Sequence, residues 1–539
     1  MLRLALSAAL WLAPPPVLPL PSRTGPEGPP RPYGATPPVE AGTPARTDAG
    51  LVGAQNHALL DGPFPHGGLA RGVSDGTLLT SAEPSVRKLV VTRIRESGAT
   101  IVRIPVDWRE SVIPAPSADF DARYPGSPAY HLASTDAAVI SATSAGLHPL
   151  LVVSHAPAFA EAPARWPYAY PGSWGPSPPA LEAFAAALAR RYDGSFPDPA
   201  APGGVLPRVT LFQAWNEPNL ARYLEPQWVA QDGRWSAFSP LLYRQLLNAF
   251  YAGVKSVQPQ AVVVAAGVAP NGDPAGAGRM APITFLRLLL CLGESRKGRT
   301  IRTGCTDPPH FDALAFHPLS IGNPDRPAVS SLDVSIADAA KVTRLLAEAR
   351  RLRTALPVGR KPVWVTELNW ESAPQARRGV PPSLQARWIS RALHRLWVAG
   401  VGLATWQFLV DPFPGVRVSS PTGAIVEYQR PAGLYSAGFG GNLESATPKA
   451  FLRGFELPFD PLRVDAGRVR VWALLERPRQ VAVLQRRARG GVWRTVRRLR
   501  ADGYGVLNKL VAVRGSMWLR ARTGGLVTAS AMVSARTHP

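Results

Sequence analysis

Short apolar segments alternate with longer amphipathic segments along most of this chain, and this alternation constrains the fold more than any other feature. The apolar segments are rich in Val, Ile and Leu, as strands buried on both faces usually are. We predict strands at Leu51–Gln55, Thr100–Trp108, His148–His155, Val209–Asn219, Ala261–Val268, Asp312–Ser320, Lys361–Trp370 and Leu403–Asp411. Helical spacing between them predicts helices at Glu83–Ser97, Ser177–Tyr192, Ser239–Val257, Val334–Leu352 and Pro382–Val398.

Strands that alternate with helices over about 400 residues are typical of a (β/α)₈ TIM barrel with insertions. We place this barrel at residues 50–460. The alternative is a doubly wound open sheet, which would need a glycine-rich phosphate loop after its first strand. The sequence has no such loop there, so the barrel is favoured.

Both ends of the chain differ in composition from this central region. Residues 1–22 contain Arg3 and an apolar run over Leu4–Ala13, which predicts a signal peptide and a secreted, extracellular protein. Residues 23–49 are rich in Pro and Gly and have few large apolar residues, so we predict a disordered linker. Residues 461–539 contain short alternating segments with glycine turns, which predict a small C-terminal β-sandwich. No later segment is apolar enough for integral membrane association.

The positive charge of the chain is concentrated in the predicted sandwich. The whole chain carries a net charge of +23, and residues 463–539 contain 17 Lys and Arg against 3 Asp and Glu, a net charge of +14. Such a surface attracts polyanions. Because a secreted protein seldom meets nucleic acid, we expect no nucleic-acid partner and name anionic cell-envelope polymers as the candidate partner. A solvated arginine-rich surface without a specific partner explains the charge equally well.

The chain has two cysteines, Cys291 and Cys305. In an oxidising compartment they could form a disulfide that stabilises the fold by about 3 kcal/mol in the chain-entropy model. Two unpaired thiols are the alternative. No closely spaced ligands accompany the cysteines, so we predict no metal site, and we predict no cofactor.

Polar or aromatic side chains follow the apolar stems of six predicted strands. The carboxyl ends of barrel strands form one face of the barrel, and active sites of such barrels lie on that face. The side chains at these ends belong to Asp107, Trp108, His155, Asn216, Glu217, His317, Glu367, Trp406 and Gln407. We therefore expect them to surround one site.

Two of these endings carry a glutamate, on the fourth and seventh predicted strands. Strands four and seven lie on opposite sides of a barrel mouth, so Glu217 and Glu367 can converge across it. Glycoside hydrolysis needs two carboxylates that flank the bond to be cut, about 5–5.5 Å apart in retaining enzymes. The segments Gln213–Asn219, with Asn216-Glu217-Pro218, and Trp364–Trp370 resemble the strand-four and strand-seven signatures of glycoside hydrolase clan A, with families 5 and 39 nearest. The resemblance covers roughly residues 50–460.

The resemblance implies a role for each matching residue of this chain. Glu217 would act as the acid/base, and Glu367 would attack the anomeric carbon as the nucleophile. Asn216 would hydrogen-bond the sugar 2-hydroxyl. Arg103, on the second strand, would hold Glu367 ionised and so leave the proton of the pair on Glu217.

Three further substrate-binding residues follow from the same resemblance. His155 and His317 match polar positions that line the sugar site, and Trp406 matches an aromatic residue on which a sugar ring stacks. Family members often carry a tyrosine after strand six that orients the nucleophile. This chain has Leu319 and Ser320 after His317-Pro318, so that role has no match.

We therefore predict a secreted retaining glycoside hydrolase that cleaves O-glycosidic bonds of a poly- or oligosaccharide by double displacement. The alternative is a non-catalytic carbohydrate-binding or cell-surface protein on a decayed barrel, although decay usually removes a carboxylate first. A metal-dependent hydrolase would need several converging His and Asp side chains, whereas the histidines of this chain are scattered.

Overall fold

The computed structural model describes residues 67–117, 119–320, 322–411, 417–419, 425–427, 431–438 and 443–535. The predicted signal peptide, the predicted linker and the first predicted strand, Leu51–Gln55, lie outside the described residues. Within those ranges, no helix combines the length and the apolar character that crossing a bilayer requires.

Eight parallel strands close into a barrel, and each is followed along the chain by a helix. The strands are β1 (Ala70–Ser74), β2 (Ile101–Asp107), β3 (His148–Ser154), β4 (Leu211–Ala214), β5 (Val262–Val268), β6 (Ala313–Phe316), β7 (Val363–Leu368) and β8 (Val401–Gln407). The helices are α1 (Pro84–Glu96), α2 (Ala133–Ser144), α3 (Pro178–Arg191), α4 (Ser239–Val257), α5 (Pro282–Leu289), α6 (Ala339–Leu352), α7 (Pro382–Val398) and α8 (Ala450–Glu456). Neighbours in the barrel are neighbours in the chain, and β8 pairs with β1, so the predicted (β/α)₈ fold is confirmed and the open sheet is wrong.

The first barrel strand is β1 and not the apolar segment predicted at residues 51–55. β1 carries Arg71, a charged residue that is 7% exposed. Its guanidinium donates hydrogen bonds to the backbone carbonyls of Phe455 and Glu456 at the end of α8. A buried arginine interrupts the apolar pattern by which strands of this kind are recognised. The contacts that compensate its burial, among them those with α8, come from distant parts of the chain and leave no local signal.

Two apolar layers fill the barrel domain. The outer layer lies between the strands and the surrounding helices, where apolar faces such as that of α4 are buried. The inner layer fills the barrel itself, as is usual for this fold. Its members include Ile101, Leu150, Val152, Leu211, Val264, Trp364 and Leu403. The interior of the barrel is therefore a packed core, and a functional site is expected at an end of the barrel.

The C-terminal part is a sandwich of two antiparallel sheets, as predicted. Its strands are β9 (Phe459–Arg463), β10 (Arg468–Leu474), β11 (Val481–Arg487), β12 (Arg494–Arg500), β13 (Val506–Ala512), β14 (Met517–Thr523), β15 (Leu526–Val527) and β16 (Ala531–Val533). One sheet has the order β9-β10-β13, and the other has the order β12-β11-β14-β15, with β16 also paired to β14. Side chains of both sheets, including Val471, Leu484, Leu507 and Leu519, form one buried core.

Helix α7 joins the barrel to the sandwich through a buried polar cluster. Asp460 of β9 accepts hydrogen bonds from His394 Nδ1 at 2.6 Å and from Arg391 Nη1 at 3.1 Å. The His394 ring stacks on the Trp472 indole, with 4.8 Å between the ring centroids. Burial alone would raise the pKa of Asp460, but Arg391 and His394 outweigh burial and lower it to about 2.

Two small antiparallel hairpins lie in the connections between barrel strands and helices. Cys291 and Cys305 form a disulfide, in agreement with the sequence-based expectation. The disulfide spans the hairpin made by Leu292–Glu294 and Thr300–Arg302. A second hairpin, Trp228–Gln231 with Arg234–Ala237, lies in the connection between β4 and α4. These insertions explain why the barrel region is longer than eight minimal strand–helix units.

Candidate active site

The candidate acid/base Glu217 lies in a tight turn directly after β4. Trp215 and Glu217 both have positive φ angles, 71° and 39°, a conformation that costs non-glycine residues free energy. The turn is held by the Trp215 indole, whose Nε1 donates to the Tyr223 carbonyl at 2.8 Å, and by the Glu217 amide, which donates to Gly267 O at 3.2 Å. Surrounding contacts thus fix the Glu217 side chain in a backbone geometry that is frequent at functional sites.

The candidate nucleophile Glu367 lies within β7, and the residue is 7% exposed. Arg103 of β2 donates from Nη1 to Glu367 Oε1 at 2.7 Å. Both side chains are buried, so this charge-assisted bond is screened little by water. Arg103 thus occupies Oε1, and the other oxygen, Oε2, lies 3.7 Å from His317 Nδ1.

Asn216 shares the guanidinium of Arg103 with Glu367. Arg103 Nη2 donates to Asn216 Oδ1 at 2.6 Å. Because a guanidinium only donates hydrogen bonds, the amide oxygen of Asn216 must face it. The amide nitrogen therefore points away from Arg103, as a donor to a sugar hydroxyl should.

His317, at the end of β6, connects the two glutamates. Its Nδ1 lies 2.9 Å from Glu217 Oε1 and 3.7 Å from Glu367 Oε2, and its Nε2 lies 3.0 Å from Thr366 Oγ1. The ring is fully buried. In this position His317 orients Glu217, a role that differs from the direct sugar contact expected from the sequence.

Close packing beneath the ring of His317 requires a glycine. Gly267, near the end of β5, has a φ of 73°, and a Cβ at this position would lie 2.6 Å from Gln213 Nε2 and 3.0 Å from His317 Nε2. The positive φ would strain any other residue, and a side chain here would push the end of Gln213 aside and crowd the ring of His317.

The two carboxylates meet over the barrel mouth. One oxygen of Glu217, one oxygen of Glu367 and a ring nitrogen of His317 all lie within 4.8 Å of one another. This spacing agrees with the pair of carboxyl groups in retaining glycosidases, about 5–5.5 Å apart, and not with the wider inverting spacing.

The same three side chains are also a set that could hold a metal ion. Arg103 already binds Glu367 Oε1, and His317 Nδ1 already faces Glu217. A guanidinium cation 2.7 Å from one ligand opposes a dication at this position. The donor set therefore fits a hydrogen-bonded carboxylate pair better than a metal centre.

His155 lies at the rim of the mouth, after β3. Its side chain is 22% exposed, and its Nδ1 lies 3.0 Å from Asp107 Oδ2 at the end of β2. Its ring centroid lies 5.2 Å from that of Tyr223. His155 is thus fixed by Asp107 and presents part of its ring toward solvent, where a sugar can reach it.

Trp406 of β8 is fully buried. Its Nε1 donates to the Ala432 carbonyl at 2.9 Å, and its ring packs against Phe451 and Trp370, with centroids 4.9 Å and 6.1 Å away. The indole therefore offers no exposed face to a sugar in this structure, and its stacking role stays a prediction.

Two site residues were not singled out by sequence reasoning as parts of the carboxylate network. Thr366 precedes the nucleophile and contacts His317. Tyr223 lies in the turn after β4, where burial, and then the charge of Glu217, raise the pKa of its hydroxyl well above the ordinary value. Thr366 precedes Glu367 in the sequence, but alternation along a strand predicts that their side chains face opposite sides, and no local signal brings Tyr223 to His155.

Comparisons with known proteins return structural likenesses only. No protein-family model and no curated protein sequence matches the chain. A family 39 glycoside hydrolase from Bacteroides cellulosilyticus WH2 is 17% identical, with a TM-score of 0.46 and coverage of 83% of this chain and 81% of that chain. A GH39 β-xylosidase from Caulobacter crescentus is 14% identical, with a TM-score of 0.44 and coverage of 81% and 84%. A family 51 α-L-arabinofuranosidase from Bifidobacterium longum is 12% identical, with a TM-score of 0.42 and coverage of 84% and 95%.

Proposed function

We propose that this protein is a retaining glycoside hydrolase that acts on a carbohydrate by double displacement. One observation carries the proposal: two buried carboxylates from opposite sides of the barrel have oxygens within 4.8 Å of each other and have different partners. Glu367 faces a permanent cation, whereas Glu217 faces a histidine that can donate or accept a proton. This asymmetry assigns the two roles.

In the first step Glu217 donates its proton to the glycosidic oxygen while Glu367 attacks the anomeric carbon. The bond between that carbon and the leaving oxygen breaks, and a bond to the Glu367 carboxylate forms. In the second step Glu217 removes a proton from water, the water oxygen bonds to the anomeric carbon, and the Glu367 carboxylate leaves. Two inversions retain the configuration of the sugar.

The hydrogen-bonded pair of His317 and Thr366 suits Glu217, which changes its protonation state twice in each catalytic cycle. When Glu217 is a carboxylate, His317 Nδ1–H donates to it and Nε2 accepts from the Thr366 hydroxyl. When Glu217 is protonated, the same Nδ1–H can still donate to Oε1, and the proton lies on Oε2, from which it can pass to the glycosidic oxygen. The contact of 2.9 Å is favourable in both states.

Secretion is part of the same proposal. The sequence pattern of residues 1–22 supports it, as does the disulfide between Cys291 and Cys305, because disulfides persist in oxidising compartments. His155 and Tyr223 at the rim, with the amide of Asn216, are the side chains that we propose meet the sugar.

The test is a panel of aryl glycosides and oligosaccharides, with the anomeric form of the first product followed by NMR. We expect turnover with retained configuration, unaffected by chelators. Turnover with inverted product would contradict the double displacement, and activity lost with chelators would favour the metal centre. Binding of a glycan without turnover of any substrate would favour the non-catalytic protein on a decayed barrel.

A further inference from the structure

A second hollow, of about 380 Å³, lies between α8 and the outer sheet of the sandwich. It is lined by guanidinium groups from three separate elements: Arg453 of α8, Arg487 at the end of β11 and Arg520 of β14. Trp493, Thr528 and Ser530 complete the polar wall. Its volume is within the range of small-molecule sites.

None of the three arginines of this hollow forms a salt bridge within the part of the chain that the structure describes. Glu456, three positions further along α8, interacts with Arg453 through its charge, whereas the charges that act on Arg520 are those of other arginines. Burial, and then the like charges of Arg522 and Arg487, lower the pKa of Arg520. Cations gathered without a counter-charge repel one another, and a bound anion would relieve that repulsion.

Trp493 keeps two of these arginines in place. The guanidinium carbons of Arg487 and Arg520 lie 4.8 Å and 4.2 Å from the centroid of its ring. Arg520 is fixed further by its Nε, which donates to Gln485 Oε1 at 2.9 Å. A guanidinium that contacts an aromatic ring keeps its terminal N–H groups available, and those groups match a carboxylate or sulfate in bidentate geometry.

A hydroxyl at the wall of the hollow adds a neutral donor. Thr528 Oγ1 accepts the backbone N–H of Ala521 at 3.0 Å, and Ser530, at the same wall, is exposed, so that its hydroxyl can donate to a ligand. A site that combines cations with hydroxyl groups suits a ligand that carries both an anion and hydroxyls.

Protection of a sheet edge explains other arginines of the sandwich but not these three. The edge strand β12 has the sequence RTVRRLR, and charges on an edge strand prevent pairing with another chain. Arg487 and Arg520 instead belong to the paired strands β11 and β14, and Arg453 belongs to a barrel helix.

We propose that this hollow is a second glycan-binding site, which takes an acidic sugar unit that carries a carboxylate or sulfate from an anionic polysaccharide. The choice of a polysaccharide over other polyanions rests on the proposed function of the barrel. The indole of Trp493 also argues against single-stranded nucleic acid, because two guanidinium groups occupy the ring on which a base would stack.

The test uses the whole chain with Glu367→Gln, so that no probe is consumed. Binding of polygalacturonate, dextran sulfate and neutral dextran of equal length is measured by calorimetry. We expect binding of at least one anionic polymer, no binding of the neutral one, and about tenfold weaker binding after Arg487→Gln with Arg520→Gln. The polymer that binds identifies the anion as carboxylate or sulfate.

The matched control is Arg95→Gln with Arg344→Gln, which removes the same charge from exposed positions on α1 and α6. Equal weakening by both double variants, or no binding of either anionic polymer, would overturn the proposal. Tighter binding of a DNA oligonucleotide or of anionic lipid vesicles than of both polymers would overturn it as well. Turnover of neutral aryl glycosides by the unmodified protein tests the barrel separately, so the two proposals can fail independently.

Discussion

The barrel mouth and the hollow on the sandwich both gather charged side chains, but they treat charge in opposite ways. At the mouth, Arg103, Glu217, Glu367 and His317 are buried, and each has a partner of opposite or complementary character within 3 Å. In the hollow, Arg487 and Arg520 are partly exposed, and the charges that act on Arg520 are those of other arginines. Paired buried charges hold a fixed geometry for chemistry, whereas unpaired partly exposed charges remain available to a ligand.

The largest effect is expected from Glu367→Gln. The amide cannot form the covalent intermediate, so we expect kcat to fall by at least about 10⁴-fold on aryl glycosides. Steady-state kinetics measure the loss, and addition of azide to a Glu367→Ala variant should restore turnover with an inverted glycosyl azide. Glu348→Gln, on the exposed face of α6, is the control, and a comparable loss in that variant would contradict the assignment.

The next effect is expected from Arg103→Met, which leaves Glu367 buried without its cation. We expect a loss of about 10²-fold in kcat/KM, and a fall of about 3 kcal/mol in the free energy of unfolding. Denaturant titration and kinetics provide the two measurements. Arg103→Lys should recover part of the stability and less of the activity, because one ammonium cannot hold both Glu367 and Asn216 in the observed geometry. Full activity in the methionine variant would remove Arg103 from the mechanism.

The junction between barrel and sandwich tests whether buried paired charges matter away from the mouth. Asp460→Asn should lower the free energy of unfolding by about 2–3 kcal/mol at pH 6. The folded pKa is lowered to about 2, so the contribution of Asp460 is complete above its unfolded value and is lost as pH falls toward 2. The difference between wild type and variant, measured by thermal unfolding, should therefore shrink between pH 5 and pH 2. The exposed Asp465→Asn should change stability little at any pH.

Glu225 differs from the paired carboxylates at the mouth, because one oxygen of its buried carboxyl has no hydrogen-bond partner. Its replacement should stabilise the protein. Burial raises its pKa to about 7, despite the nearby Arg165, and its Oε2 has no hydrogen-bond partner. A carboxyl with a raised folded pKa destabilises the fold increasingly as pH rises from its unfolded value through 7. Glu225→Gln should therefore raise the free energy of unfolding at pH 8 by on the order of 1 kcal/mol, which is measured as a higher melting temperature. At pH 4.5 the melting temperature should change little. An equal change at both pH values would be inconsistent with this cause.

The smallest effect on stability is expected in the hollow itself. Arg487→Gln with Arg520→Gln removes two charges that have no acidic partner, so the melting temperature should change by no more than about 1 °C. Differential scanning calorimetry without added polymer provides the measurement. A large loss of stability would show that these arginines support the sandwich, and the contrast between the two regions would disappear.

Most of the barrel and its carboxylate pair were predictable from the sequence because both follow local patterns. β2 to β8 are apolar segments, six of which lead into polar or aromatic residues, and each was predicted within a few residues of its position. Glu217 and Glu367 fall at the ends of strands four and seven, so their convergence follows from the fold alone.

What local patterns could not show depends on contacts between distant residues. β1 was missed because its buried arginine is compensated by carbonyls of α8. The role of His317 in orienting Glu217 depends on a contact across 100 positions of sequence. The burial of Trp406 depends on Phe451 and Ala432, which follow it after a long connection. The hollow combines α8, β11 and β14, and composition alone indicated only that the tail is basic.

The link from Arg71 to the end of α8 has a consequence for how the chain comes to fold during synthesis. Arg71 and Phe455 are 384 positions apart, so the first strand of the barrel depends on nearly the last element of its domain. β1 can pair with β8 before α8 is made, but Arg71 then lacks the two backbone carbonyls that accept its hydrogen bonds. A ribosome that stalls shortly before codon 450 would therefore leave eight strands with a buried guanidinium that has lost these acceptors, the form in which this barrel should be most vulnerable to aggregation and proteolysis.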